Sequence, residues 1–183
     1  MKTIGLCTHF TETDEWAFDY AFNLAQSRAW QLNICHWLES PYAIRRDIVY
    51  DNLFKPTEAV TVTPELLNQL ELQLREYYEP KLGDFTDVAF KLCEGVYQVE
   101  LVRCFRQNLL DLVVMGYQVP PEEPSAHRRP LEEFAARLQY PVIIVGLDGP
   151  ESFLINRTAF KVLDLLALPE GSWKTIQPAL AHS

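Results

Sequence analysis

The sequence predicts an α/β fold built on a doubly wound parallel sheet, and two stretches carry that prediction. Leu112-Val113-Val114-Met115 is apolar without alternation and is bounded by Asp111 and Gly116. That is how a strand buried on both faces of a parallel sheet reads. A second such run spans Tyr140 to Gly146 after a helix-length gap, and its Pro141 fits only at the start of a strand because it has no N–H to donate. Two buried strands joined by a helix make a βαβ unit. In sheets of such units, ligands sit outside the carboxyl ends of the strands where strand order reverses, so Gly116 and the residues after it are the first place to look for a site.

Taken in order, Lys2 to Thr8 carries Ile4, Leu6 and Cys7 and reads as a first buried strand. Thr11 to Glu15 supplies cap candidates and first-turn acids for a helix from about Asp14 to Arg28, along which Ala17, Tyr20, Ala21, Leu24 and Ala25 recur at helical spacing. Gln31 to Leu38 alternates and ends at Glu39-Ser40-Pro41, making a second strand. Tyr42 to Val62 has no sustained period, and a segment of that length is either functional or holds short structure of its own. Thr63-Pro64-Glu65 starts a second helix with a cap, a proline at its first position and an acid; Leu66, Leu67, Leu70, Leu74 and Tyr77 continue it until Pro80 and Gly83.

Asp87 to Cys93 alternates strictly and makes a third strand; Glu94-Gly95 turns the chain, and Val99, Leu101, Val102 and Phe105 mark a third helix leading to the strand at Leu112. Between Tyr117 and Pro130 four prolines break regular structure, and Leu131 to Leu138 forms a short helix before the last strand. Residues 1–149 thus form one α/β domain. Residues 150–183 form an extension in which Phe153, Ala159, Phe160, Val162, Leu163, Leu165 and Leu166 predict an added helix, packed on the domain or on a dimer partner, followed by an irregular tail from Pro169.

The formal net charge of -9 speaks against nucleic acid or an anionic membrane surface as the main partner, since either needs a basic face. Cys7, Cys35, Cys93 and Cys104 lack paired spacing and read as reduced core residues, with no disulfide framework or zinc site. No segment is long and apolar enough for a membrane span, and the first residues do not make a signal peptide, so the cytoplasm is the expected location.

The element order and several short motifs resemble the universal stress protein family. The residues carrying the resemblance are Lys2 to Thr8, Ala17 to Ala25, Ile34-Cys35-His36, Cys93-Glu94-Gly95, Asp111 to Gly116 and Pro141 to Val145. It covers roughly Lys2 to Gly146 and implies a three-layer, Rossmann-like fold with a five-stranded parallel sheet of order 3-2-1-4-5 in a homodimer. ATP-binding members carry Asp-Gly-Ser after strand one and a glycine-rich phosphate loop after strand four. Here His9, Phe10 and Thr11 occupy the first place. In the second, Gly116 is kept, Val119 falls where the next glycine would be, and the loop is filled with prolines. Cradling a phosphate needs successive inward N–H groups and close backbone approach, and proline supplies neither. The expectation is a degenerate site without ATP as cofactor.

The candidate ligand-contacting residues are Thr8, His9 and Phe10 at the end of strand one, Gly116, Tyr117 and Gln118 at the end of strand four, and Arg128 in the proline-rich loop. Histidine as a residue type titrates near neutrality, which makes His9 a candidate ligand contact or acid–base group, and the His127-Arg128-Arg129 cluster, with Arg45-Arg46, has the chemistry to grip an anion or simply to form surface ion pairs. His36, mid-strand, reads as a hydrogen-bonded core or interface group. No catalytic or metal-binding motif is present. The leading expectation is a non-enzymatic stress-response protein acting through dimerisation and a protein partner. The alternative is a small-molecule or nucleotide binder with a remodelled site, which a pocket with free space above Gly116 would support and packing of Pro120, Pro121 or the carboxyl-terminal segment into the crevice would sink. An enzyme of the nucleotide-binding α/β superfamily comes third, since its phosphate motifs are missing.

Overall fold

The computed structural model of the chain describes residues 2–8, 12–37, 48–52, 55–58, 63–93, 97–107, 109–117 and 135–176. Strands β1 (Thr3–Thr8), β2 (Gln31–Trp37), β5 (Val88–Cys93), β6 (Leu112–Gly116) and β7 (Val142–Val145) are joined in one sheet with β8 (Phe153–Ile155) and β9 (Trp173–Thr175). Its order is β5-β2-β1-β6-β7-β8-β9. The first five strands are parallel neighbours throughout and reproduce the expected 3-2-1-4-5 order. Order reverses between β1 and β6, where Ile4 pairs with Leu112 and Cys7 with Met115. A reversal of this kind is where a doubly wound sheet places its ligand crevice.

Side-chain alternation along the strands divides the core in two. One face carries Ile4, Leu6, Leu32, Ile34, Leu112, Val114, Ile143 and Val145 and is covered by α1 (Glu12–Arg28) and α2 (Pro64–Leu82). The other carries Cys7, Cys35, Val113, Met115, Val142 and Ile144 and is covered by α3 (Tyr97–Arg106) and helical residues 135–137. Strands apolar on both faces are what a parallel sheet between two helical layers demands. Ala17, Ala21 and Ala25 bring α1 close to the sheet, and all three are fully buried. In α2 the expected cap holds, with Thr63 accepting a hydrogen bond from the Leu66 N–H at 3.1 Å. Its buried stripe is Leu70, Leu74, Tyr78 and Leu82, so Tyr78 takes the inward position expected for Tyr77. All four cysteines are buried free thiols. Among the described residues no helix is long and apolar enough to cross a membrane.

Two regions differ from the sequence reading. Within the stretch left without a period, β3 (Ile48–Asn52) and β4 (Lys55–Glu58) pair antiparallel as a separate two-stranded sheet. The carboxyl-terminal helix is not formed as expected. Phe153–Ile155 instead becomes β8, antiparallel to β7; a single turn of helix, α4 (Arg157–Phe160), and a 3-10 turn at Leu163–Leu165 follow, and β9 then runs parallel to β8. Asn156 decides this. Its side chain caps α4 by accepting from the Ala159 N–H, so the helix cannot begin before it, and the apolar residues ahead of it fall to the sheet. Asn156 is wholly buried and fully used: Oδ1 also accepts from the Val142 N–H at 3.1 Å, while Nδ2 donates to Ala135 O at 3.0 Å and Tyr140 O at 2.7 Å.

Candidate functional site

The carboxyl ends of β1 and β6 lie side by side, one residue beyond the Cys7–Met115 pair. Thr8 closes β1. Its side chain is buried and its hydroxyl lies 2.6 Å from the Tyr78 hydroxyl of α2, while its carbonyl accepts a hydrogen bond from His36 Nδ1 at 2.9 Å. His36 is therefore the hydrogen-bonded core group that its mid-strand position implies, with its ring proton on Nδ1 for this bond.

Gly116 closes β6, and the first turn of α1 lies directly on it. A Cβ at Gly116 would fall 2.7 Å from the Asp14 backbone nitrogen and 2.7 Å from the Thr13 carbonyl carbon. The glycine is thus required by close helix–strand approach. The same turn is fastened on both sides, because Thr13 Oγ1 donates to Tyr117 O at 2.7 Å and Tyr117 N donates to Val145 O at 2.7 Å. At the end of β7, Gly146 adopts φ +102, and a Cβ there would fall 2.9 Å from the Trp16 ring and 3.0 Å from Thr13 Cγ2. Backbone with that φ favours glycine. Residues 13, 14 and 16 of α1 therefore seat against the ends of both β6 and β7.

The structure places Thr8, Gly116 and Tyr117 at one end of the sheet, with the first turn of α1 filling the side of Gly116 that a Cβ would take. The other proposed contacts, His9, Phe10, Gln118 and Arg128, lie outside the described residues, as do Arg45, Arg46, His127 and Arg129. Sequence reasoning missed Tyr78 as the partner of Thr8. The signal was available, since Leu70, Leu74 and Tyr78 recur every four residues.

Two ionisable groups here, Tyr78 and Cys35, are shifted toward their neutral forms. Burial pushes the Tyr78 phenol well up, with the Thr8 hydrogen bond opposing. Burial likewise pushes the Cys35 thiol up, reinforced by the adjacent thiols of Cys7, Cys93 and Cys104. A thiol in that setting is an inert core group rather than a nucleophile. Among the described residues no group of His, Cys, Asp and Glu is placed to hold a metal ion.

A parallel sheet with helices on both faces and a reversal of strand order at β1/β6 defines a doubly wound, Rossmann-like α/β protein. Within that class the chain has the fold of the universal stress proteins. It is similar to the universal stress protein UspA from Lactobacillus plantarum, with 14% identity over 79% of this chain and 97% of that chain and a TM-score of 0.52. It is also similar to a universal stress protein solved in complex with cAMP, with 18% identity over 79% of this chain and 97% of that chain and a TM-score of 0.54. No protein-family sequence model matches the chain, and no curated protein sequence matches it significantly.

Proposed function

We propose that this chain is a cytoplasmic, non-enzymatic protein of universal-stress-protein type that does not take ATP in the standard pose and acts in a stress response through homodimerisation and a protein partner. The observation supporting this reading is the seat of α1 on Gly116, where a backbone nitrogen of Asp14 stands 2.7 Å from the point a Cβ would reach. A phosphate loop needs that glycine bare so that a ligand can approach. The prolines at 120, 121, 124 and 130 act in the same direction by removing N–H donors from the loop.

With β7 covered by β8, the sheet edge on that side is β9, and Phe160 stands 51% exposed beside Trp173 at a ring-centroid distance of 5.6 Å, which offers a dimer surface. An exposed phenylalanine resting on a half-buried tryptophan beside an edge strand suits a self-complementary contact. The alternative, a small-molecule or nucleotide site using His9, Gln118 and Arg128, draws on the cAMP complex of a similar fold.

Native mass spectrometry of the protein purified from its own cytoplasm tests the reading. The expected species is a homodimer without a bound nucleotide, shifted toward monomer by Phe160→Glu. A monomer, or a chain carrying stoichiometric ATP or cAMP, contradicts it.

A further inference from the structure

A second concave site lies away from the β1/β6 crevice, between α1 and the extension that follows β7. It is a cavity of about 460 Å³, walled by Trp16, Tyr20, Leu24 and Phe153, with Asp19 and Glu151 among its lining residues. Neither Thr8, Gly116 nor Tyr117 contributes to it. Its volume lies in the range of small-molecule sites.

The walls are fixed. The Tyr20 hydroxyl donates to Leu166 O at 2.7 Å, and its ring packs on Phe153 at 5.1 Å between centroids. Trp16 is held over Gly146. Ala167, at φ 53, turns the chain back at the rim. Helix α1 and the extension are thereby tied together around the space.

The charged residues lining the cavity are both acidic. Asp19 and Glu151 line the cavity, no Lys or Arg does so among the described residues, and neither acid makes an ion pair or side-chain hydrogen bond with a described residue. Glu15, one turn before Asp19, is in contrast held by Lys81 at 2.9 Å. Burial and the Glu15 charge hold Asp19 above the usual carboxylate range, with the Lys81 charge opposing. An incoming cation would relieve that repulsion, and aromatic faces attract the same charge.

We propose that this cavity binds a small organic cation, an aromatic group seated against Trp16, Tyr20 and Phe153 with its ammonium directed to Asp19 and Glu151. The assignment goes beyond the proposed function and is independent of it, since it shares no residue with the β1/β6 crevice.

The test is ligand-observed NMR of the full chain with 2-phenylethylammonium as probe and 2-phenylethanol as its neutral counterpart. The expected result is saturable binding of the ammonium, at least about tenfold tighter than the alcohol and weakened about tenfold in the Asp19→Asn/Glu151→Gln double variant. Both positions are exposed, so the variant should keep the wild-type melting curve. Absence of binding at about 10 mM, a concentration that registers contacts weaker than −4 kcal/mol, overturns the proposal. So does equal binding of the two probes, or of wild type and double variant.

Discussion

Replacing Asn156 by alanine is expected to unfasten the extension from the sheet. Four hydrogen bonds end on this one buried amide. Ala135 O keeps another partner, since Leu138 N donates to it, but the Val142 N–H, the Ala159 N–H and the Tyr140 carbonyl each lose the bond Asn156 provides. Three polar groups stripped of a buried partner, one of them the capping N–H of Ala159, at about 1 kcal/mol or more each, give a cost of about 3–5 kcal/mol. For a chain of this length that lowers the melting temperature by roughly 6–20 °C. Urea unfolding followed by circular dichroism reads it directly. Asn156→Asp sharpens the test, because aspartate caps helices as well as asparagine and keeps both acceptor bonds. It cannot donate to Tyr140 O and Ala135 O, so it should cost nearly as much as alanine. A loss below about 1 kcal/mol for alanine, or an aspartate variant as stable as wild type, would refute the role given to Asn156.

Gly116→Ala should destabilise by about 1–3 kcal/mol or more, since the new methyl meets α1 backbone that cannot move aside cheaply; thermal melts check it. Gly5→Ala meets the Leu110 side chain at 2.8 Å instead, so its cost should shrink when combined with Leu110→Ala, and a double-mutant cycle measures that coupling. Tyr78→Phe should cost about 1–2 kcal/mol through the Thr8 hydroxyl contact, less when paired with Thr8→Val, by chemical denaturation. Asp19 has its folded pKa raised above the unfolded value, so its charge weakens the fold at neutral pH, and the penalty disappears as pH falls through the folded value. Asp19→Asn should therefore match or slightly exceed wild type in stability at pH 7, with the difference gone below about pH 4.

The parallel core was legible because its strands are buried on both faces: Leu112 to Met115 and Val142 to Val145 are unbroken apolar runs whose character no helix face would share at that length. The final strands were not. Phe153–Ile155 is three residues long, too short for periodicity to separate strand from helix, and its state is set by pairing with β7 and by a cap at Asn156 that draws on partners far along the chain. The hairpin at 48–58 was hidden similarly, with Pro56 inside β4 where a central strand would not hold it. At the candidate site, sequence identified Gly116 but not its purpose. A missing Cβ signals that something approaches closely, and only the fold shows that the approaching group is the first turn of α1. The cavity beside α1 was illegible because Asp19 and Glu151 come to line one space only once the extension has folded back.

On the proposed function, this universal-stress-protein fold does not take ATP in the standard pose beside Gly116. Isothermal titration of the full chain with ATP and Mg²⁺ tests it most directly. The account predicts no saturable heat up to about 1 mM nucleotide, weaker than about −4 kcal/mol of binding. One ATP per chain with micromolar affinity, abolished by displacing the α1 seat with Gly116→Ala, would contradict it.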